Sequence, residues 1–137
     1  MEEQEWKNFI QIAKENYYKI GAISCPAFGG ELVYFNQFGF RHLIIKYGAH
    51  RSQDDQSRRL RLVNTYARDI IKSSSKYFEY RNVMSKKSEQ VTTMHFWSLK
   101  KKVGEKLITV VIRQLDDSEK HFFSIMDKKD PGSAQAP

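Results

Sequence analysis

Apolar residues in the first twenty positions recur at steps of three and four: Trp6, Phe9, Ile10, Ala13, Tyr17 and Ile20. That spacing puts them on one stripe of a helix, and Gly21 follows as its terminator. Ser24 to Gly30, with one proline and two glycines, predicts a turn or loop. Glu31 to Asn36 (ELVYFN) predicts a short strand. Phe40 to Tyr47 predicts a short helix that turns Phe40, Leu43, Ile44 and Tyr47 inward. His42 and Lys46 then share its outward face, and Gly48 ends it. Ser52, with Asp55 three positions on, resembles a capping box and opens a longer helix from about Asp54 to Lys72. Leu60, Val63, Ala67 and Ile70 form its core stripe, with Ile71 beside it, while Arg58, Arg61, Arg68 and Lys72 line another face.

From Tyr77 the period shortens. Tyr77 to Val83, Thr92 to Leu99, Leu107 to Gln114 and His121 to Met126 are strand candidates, joined by short polar connections. Short connections favour an antiparallel meander. The expected fold is α+β, with N-terminal helices packed on one face of an antiparallel sheet of four to five strands. Residues 1–127 make one domain, and 128–137, rich in Lys, Asp, Pro, Gly, Ser and Ala, make a flexible tail.

The register of the last hairpin decides which polar residues share a face. Ile108, Val110 and Ile112 must face the core, so Phe123 and Ile125 should lie opposite them. An even-length loop pairs Val110 with Phe123 and Ile108 with Ile125. It gathers Thr109, Arg113, Lys120 and Ser124 on the other face, with Val111 and Phe122 between them. His121 then leans toward the edge of the packed face, near Ile112 or Gln114.

Composition narrows the class. Lysine and arginine outnumber acids 23 to 16, a formal net charge of +7. Residues 1–20 carry three lysines against four glutamates, whereas 37–72 carry eight basic residues against three aspartates and 81–106 carry seven against two. A positive middle on an aromatic-rich α+β chain suggests nucleic acid as the partner. The lone Cys25 cannot form an internal disulfide, and is expected to be structural. No apolar run approaches the roughly 18 residues that span a bilayer, and the acidic start Met1-Glu-Glu-Gln-Glu is unlike a secretory signal. No membrane and a cytoplasmic location are therefore expected. His42, His50, His95 and His121 show no metal-ligand spacing with one another or with Cys25, and no phosphate-binding loop or nucleophile elbow is present. Neither metal nor cofactor is expected.

Three segments in this order carry a family resemblance. They are Val33-Tyr-Phe-Asn-Gln-Phe-Gly-Phe-Arg-His-Leu-Ile-Ile-Lys46, the basic helix with Gln56 and Arg58-Arg-Leu-Arg-Leu62, and Leu107-Ile-Thr-Val-Val-Ile-Arg-Gln114 with His121-Phe-Phe-Ser-Ile-Met126. Together, over roughly residues 31–127, they resemble the phage-type nucleases of the barnase/EndoU/colicin/RelE-like superfamily. The resemblance implies helices on one face of an antiparallel sheet and RNA on the other. It implies metal-independent endoribonuclease action by 2′-hydroxyl attack, in a toxin or host-conflict effector. It also implies an acidic antitoxin or immunity protein as a second partner. Such chemistry needs a base for the 2′-hydroxyl proton, an acid for the leaving 5′ oxygen, and cations on the phosphorane-like transition state. On the superfamily's pattern His42 is the histidine after the first strand, and Arg113 and Ser124 are the polar pair of the final hairpin. His121 beside them completes the catalytic candidates. Lys46, Arg51, Arg58, Arg61 and Lys120 are the nucleic-acid-binding candidates. The chain lacks a glutamate at a strand centre, which leaves the general base open.

Two other readings compete. A non-catalytic RNA- or DNA-binding module would hold phosphates on Arg58, Arg61 and Arg68 and stack bases on aromatic rings. A protein-interaction domain would meet an acidic partner with its basic face.

Overall fold

The computed structural model describes residues 2–129. Helix α1 (Glu3–Ile20) ends at Gly21, whose φ of 71° needs glycine's freedom. Its stripe buries Ala13 and Tyr17 most deeply. Strands β1 (Ala22–Cys25) and β2 (Glu31–Tyr34) form an antiparallel hairpin. Part of the predicted loop at Ser24 to Gly30 is thus strand, because Ile23 pairs with Val33 across it. Cys25 is buried, and burial raises its thiol pKa, as an inert cysteine requires.

Helix α2 (Gln37–Ile44) is capped by Asn36, whose Oδ1 accepts from Phe38 N–H at 3.1 Å. It starts and stops earlier than the sequence predicts. Ile45–Lys46 (β3) and Ala49–His50 (β4) form a minute hairpin instead. Tyr47 sits at its tip, 94% exposed with φ 52°, rather than on an inward helical face. Helix α3 (Gln53–Leu62) is capped as expected, Ser52 Oγ accepting from Asp55 N–H at 3.1 Å. A π-helical turn, Val63–Ala67, separates it from α4 (Arg68–Ser73), so the long predicted helix is interrupted. Leu60, Val63, Ala67, Ile70 and Ile71 are nonetheless all buried.

Four long strands complete the chain: β5 (Glu79–Lys87), β6 (Gln90–Val103), β7 (Lys106–Leu115) and β8 (Lys120–Lys129). The sheet has six strands in the order β1-β2-β8-β7-β6-β5. It is mixed, since β2 runs parallel to β8 at Val33/Lys120 and Tyr34/His121. The sequence predicts fewer strands, all antiparallel; the hydrophobic pattern marks strands but not which distant edge receives them. Strand β8 continues to Lys129, into the predicted tail, whose residues 130–137 lie outside the described residues.

The last hairpin holds the main correction. Val110 pairs with Ile125, Val111 with Ser124, Ile112 with Phe122 and Arg113 with His121. Phe123 is left over as a β-bulge opposite the Val111/Ile112 step. One extra residue reverses the facing of everything beyond it. Phe122 and Ile125 enter the core, both 0% exposed, where an unbroken strand would have sent Phe123. His121 joins the face of Arg113. Lys120 leaves that face and lies on the helical side, where its ammonium meets Glu31 at 2.9 Å and the rings of Phe28 and Trp97.

Beyond His121, helices replace β2 along β8. Arg59 of α3 donates to the carbonyl of Ile125 at 2.8 Å, satisfying an edge acceptor. Helix α2 crosses β8 at Gly39, which faces the Phe122 carbonyl and the Tyr17 hydroxyl with no room for a side chain. Tyr17, fully buried, donates to Asn36 O at 2.7 Å and packs edge-on against Phe35 and Phe122. Gly39→Ala should therefore destabilise the fold by about 2 kcal/mol or more, although alanine is the better helix former. Urea denaturation measures this; a stability equal to or above the parent would show that α2 can move off β8.

Candidate active site

The sheet face away from α1, α3 and α4 carries Phe96, Ser98, Thr109, Val111, Arg113 and Ser124, as the register of β6, β7 and β8 requires. At one end lies a cleft of about 520 Å³. Helix α2 and the turn after it form one wall through Arg41, His42 and Tyr47; the β5–β6 hairpin forms the other through Ser85, Lys87 and Thr92. Arg113 and Phe123 also line it. The lining contains no carboxylate.

Arg113 is held by stacking as much as by hydrogen bonding. Its guanidinium lies 4.3 Å from the centroid of Phe123 and 5.3 Å from that of Phe38. The next rings continue the column, with Phe96 at 5.6 Å from Phe123 and the Arg81 guanidinium 4.3 Å from Phe96. His42 stacks on Phe123 at 4.2 Å. The bulge thus creates the site, since only a re-aimed Phe123 can touch His42, Arg113 and Phe96 together.

Both histidines are held neutral. Arg51 donates through Nε to the His42 carbonyl at 2.9 Å and places its NH2 group 3.2 Å from His42 Nε2. Burial, then the charges of Arg51, Arg59, Arg113 and Lys46, push the His42 pKa down to about 4. Arg113 Nε donates to His121 Nε2 at 3.0 Å, and the His121 ring donates to the Glu119 backbone. Burial and then Arg113 bring its pKa down to about 4 as well. An arginine N–H aimed at Nε2 requires an unprotonated nitrogen there.

Asp55 balances the positive charge beneath. It accepts from Arg51, Arg58 and Arg59 at 3.0 to 3.1 Å. Burial alone would raise its pKa, but the three guanidinium groups outweigh that and hold it at about 2.

The predicted residues divide accordingly. His42 and Arg113 meet across Phe123 at the cleft. His121 is 2% exposed and supports Arg113 from behind. Ser124 is on the expected face, but it is 3% exposed and pairs with Val111, away from the cleft lining. Arg51 is a buried clamp on His42, and Arg58 bridges Asp55 and Asp127. Lys46 is on β3, its ammonium over Tyr47, not one helical turn beyond His42. Arg61 is exposed on α3, outside the cleft lining, and Lys120 is on the opposite face. Arg41, Lys87, Phe38 and Phe96 have no role in the sequence reading, which places Phe123 in the core. Arg41 had a usable signal, being adjacent to His42; Phe38 depends on where α2 begins, and the others on strand register.

Among the described residues no three His, Cys, Asp or Glu side chains gather to hold a metal ion, and no helix is long and apolar enough to cross a membrane. The chain matches no family model, no curated protein and no solved structure.

The two buried imidazoles make stability depend on pH with a definite sign. Their folded pKa values lie near 4, below the ordinary 6.5. Above pH 6.5 both states are neutral; as pH falls toward 4 the unfolded chain takes up protons that the folded chain refuses. Thermal melting should show Tm falling across this window, and the fall should shrink in His42→Gln/His121→Gln. A flat Tm between pH 6.5 and 4 would mean that these rings are not desolvated.

Proposed function

We propose that the chain is a metal-independent endoribonuclease that cleaves RNA by attack of a 2′-hydroxyl, with its reaction centre in the cleft of His42 and Arg113. One observation carries this reading: a cleft without carboxylates in which Arg41, Arg113 and Lys87 surround a neutral imidazole. Cations without acids suit a phosphodiester and leave the imidazole as the base. The resemblance to the barnase/EndoU/colicin/RelE-like nucleases, and the net charge of +7, point the same way.

The chemistry follows from the contacts. Arg51 donates to His42 Nε2, so in the neutral ring Nδ1 carries the hydrogen and Nε2 is the basic nitrogen; it takes the 2′-hydroxyl proton as the Arg51 N–H turns from it to a phosphate oxygen of the substrate. The 2′ oxygen attacks phosphorus, the bond to the 5′ oxygen breaks, and that oxygen takes a proton from solvent in the open cleft. The products are a 2′,3′-cyclic phosphate and a 5′-hydroxyl. Arg113, already oriented by Phe123, Phe38 and His121, stabilises the charge on the equatorial oxygens. A bound phosphate also offsets the positive field that depresses the His42 pKa, which makes the imidazole a better base once substrate is present.

A non-catalytic RNA- or DNA-binding module is favoured by one contrary observation. Both nitrogens of His121 are engaged, so the site offers a single imidazole for proton transfer. An acidic antitoxin or immunity protein would cover the same cationic cleft under either reading.

The test is incubation with total RNA in EDTA, followed by analysis for 2′,3′-cyclic phosphate ends. His42→Gln should lower kcat by about 10²–10⁴-fold, and Arg113→Ala by about 10²–10³-fold. Cleavage that appears only with added magnesium, or equal cleavage by both variants, would remove the mechanism.

The pH profile supplies a separate prediction. A base must be unprotonated, so rate is lost as pH falls through its pKa. For free enzyme kcat/KM should hold until about pH 4, the depressed value of His42. In the complex the bound phosphate raises that pKa, so kcat should fall at a higher pH. Coincident acid limbs would show that substrate charge does not reach His42.

A further inference from the structure

Beside the cleft, on the same open face, lies a second concavity of about 650 Å³. Phe96, Val111 and Met126 supply apolar walls, and Ser98 and Thr109 supply hydroxyls. Ser98 is 7% exposed, and its Oγ has no hydrogen-bond partner. A buried hydroxyl left unpaired is unfavourable and rare in a folded protein. Thr109, 9% exposed, is two residues along β7 from Val111, the cross-strand partner of Ser98. Arg81, stacked on Phe96, and Lys128 bring positive charge to the rim.

We infer that this trough is a nucleobase subsite, which holds the base of the nucleotide next to the scissile phosphate and reads its edge with Ser98 and Thr109. The assignment rests on the ribonuclease reading of the neighbouring cleft and deepens it. Three features converge on a base. The trough combines an aromatic wall with a small number of hydroxyls, the lining that planar hydrogen-bonding rings require. Phe96 links the trough to the cleft, since it is the cross-strand partner of Arg113 and stands against Phe123, both of which line the cleft. Val111 is two residues from Arg113 on β7, roughly 7 Å along the strand, a separation that suits adjacent nucleotides of an extended chain. Among the side chains that line the trough, Met126, Lys100 and Lys128 are long and unbranched and can yield to a ligand.

A site hydroxyl with nothing to bond in the free protein has a distinctive signature. Removing it should help the fold and harm the ligand, whereas a structural serine would lose both together. The experiment uses the ¹⁵N-labelled full chain and dinucleoside monophosphates with 2′-deoxyribose on the 5′ side, which cannot be cut by this route. Amide shifts are expected at Ser98, Thr109 and Val111 together with His42 and Arg113, with one base preferred. Ser98→Ala should raise Tm yet weaken the preferred dinucleotide about tenfold, and Thr109→Val should flatten the base preference. Shifts confined to the cleft, or Ser98→Ala with lowered Tm and unchanged affinity, would overturn the subsite. Should Ser98→Ala not fold, the shifts of the parent chain and the Thr109→Val preference decide alone. RNA cleavage without trough shifts removes the subsite and leaves the nuclease. Trough shifts in a protein that cuts no RNA remove the nuclease and leave a base-binding face.

Discussion

Strand β8 must satisfy two surfaces at once, and it does so only because Phe123 is inserted without a partner on β7. The core beneath needs Ile125 and Phe122, which are three positions apart and would face opposite ways on a regular strand. The bulge brings both inward and sends Phe123 outward. From that displacement come the stacking of His42 on Phe123, the column through Phe96 to Arg81, and the pairing of Arg113 with His121. Core and cleft are therefore one problem in packing. A change that abolished the bulge would disturb both.

Around this column the protein accepts an electrostatic penalty. Arg51, Arg59 and Arg113 act on His42 and Arg113 on His121, while Asp55, which pairs with Arg51 and Arg59, stands in the first turn of α3 outside the cleft lining. The positive charges are tolerated because each guanidinium finds a hydrogen-bond acceptor or a ring face, and because neutral imidazoles accept rather than repel. Burial, and then this positive field, depress both histidine pKa values. The same open face continues into the trough that Ser98 lines, so the cleft adjoins a region whose hydroxyls and aromatic wall stand within a charged rim.

Much of this was legible in the chain. The stripe of α1, the cap at Ser52, the burial of Leu60, Val63, Ala67, Ile70 and Ile71 and the existence of the last four strands follow from local spacing. His42 and Arg113 came from the family resemblance rather than from local spacing, and the structure brings both to the cleft. Ser124 failed as a cleft residue because its face was predicted correctly but its depth was not. Lys120 and His121 exchanged faces because a bulge has no composition of its own; Phe122 and Phe123 are identical residues, and nothing local says which of them turns inward. Lys46 and Tyr47 failed because α2 stops at Ile44, where the chain turns into a small hairpin.

What the linear order of residues determined by itself was α1, the start of α3, the four long strands and the sign of the field, since these arise from neighbours a few positions apart and from simple composition. Which edge β8 offers to β2, where α2 lies along that edge, and which of two phenylalanines leaves the core were decided only in three dimensions. Each depends on contacts between segments distant in sequence: Val33 with Lys120, Gly39 with Phe122, Arg59 with Ile125. Those contacts compete for one strand edge, and the winner is set by how the volumes of the whole core fit together, a quantity that no local window contains.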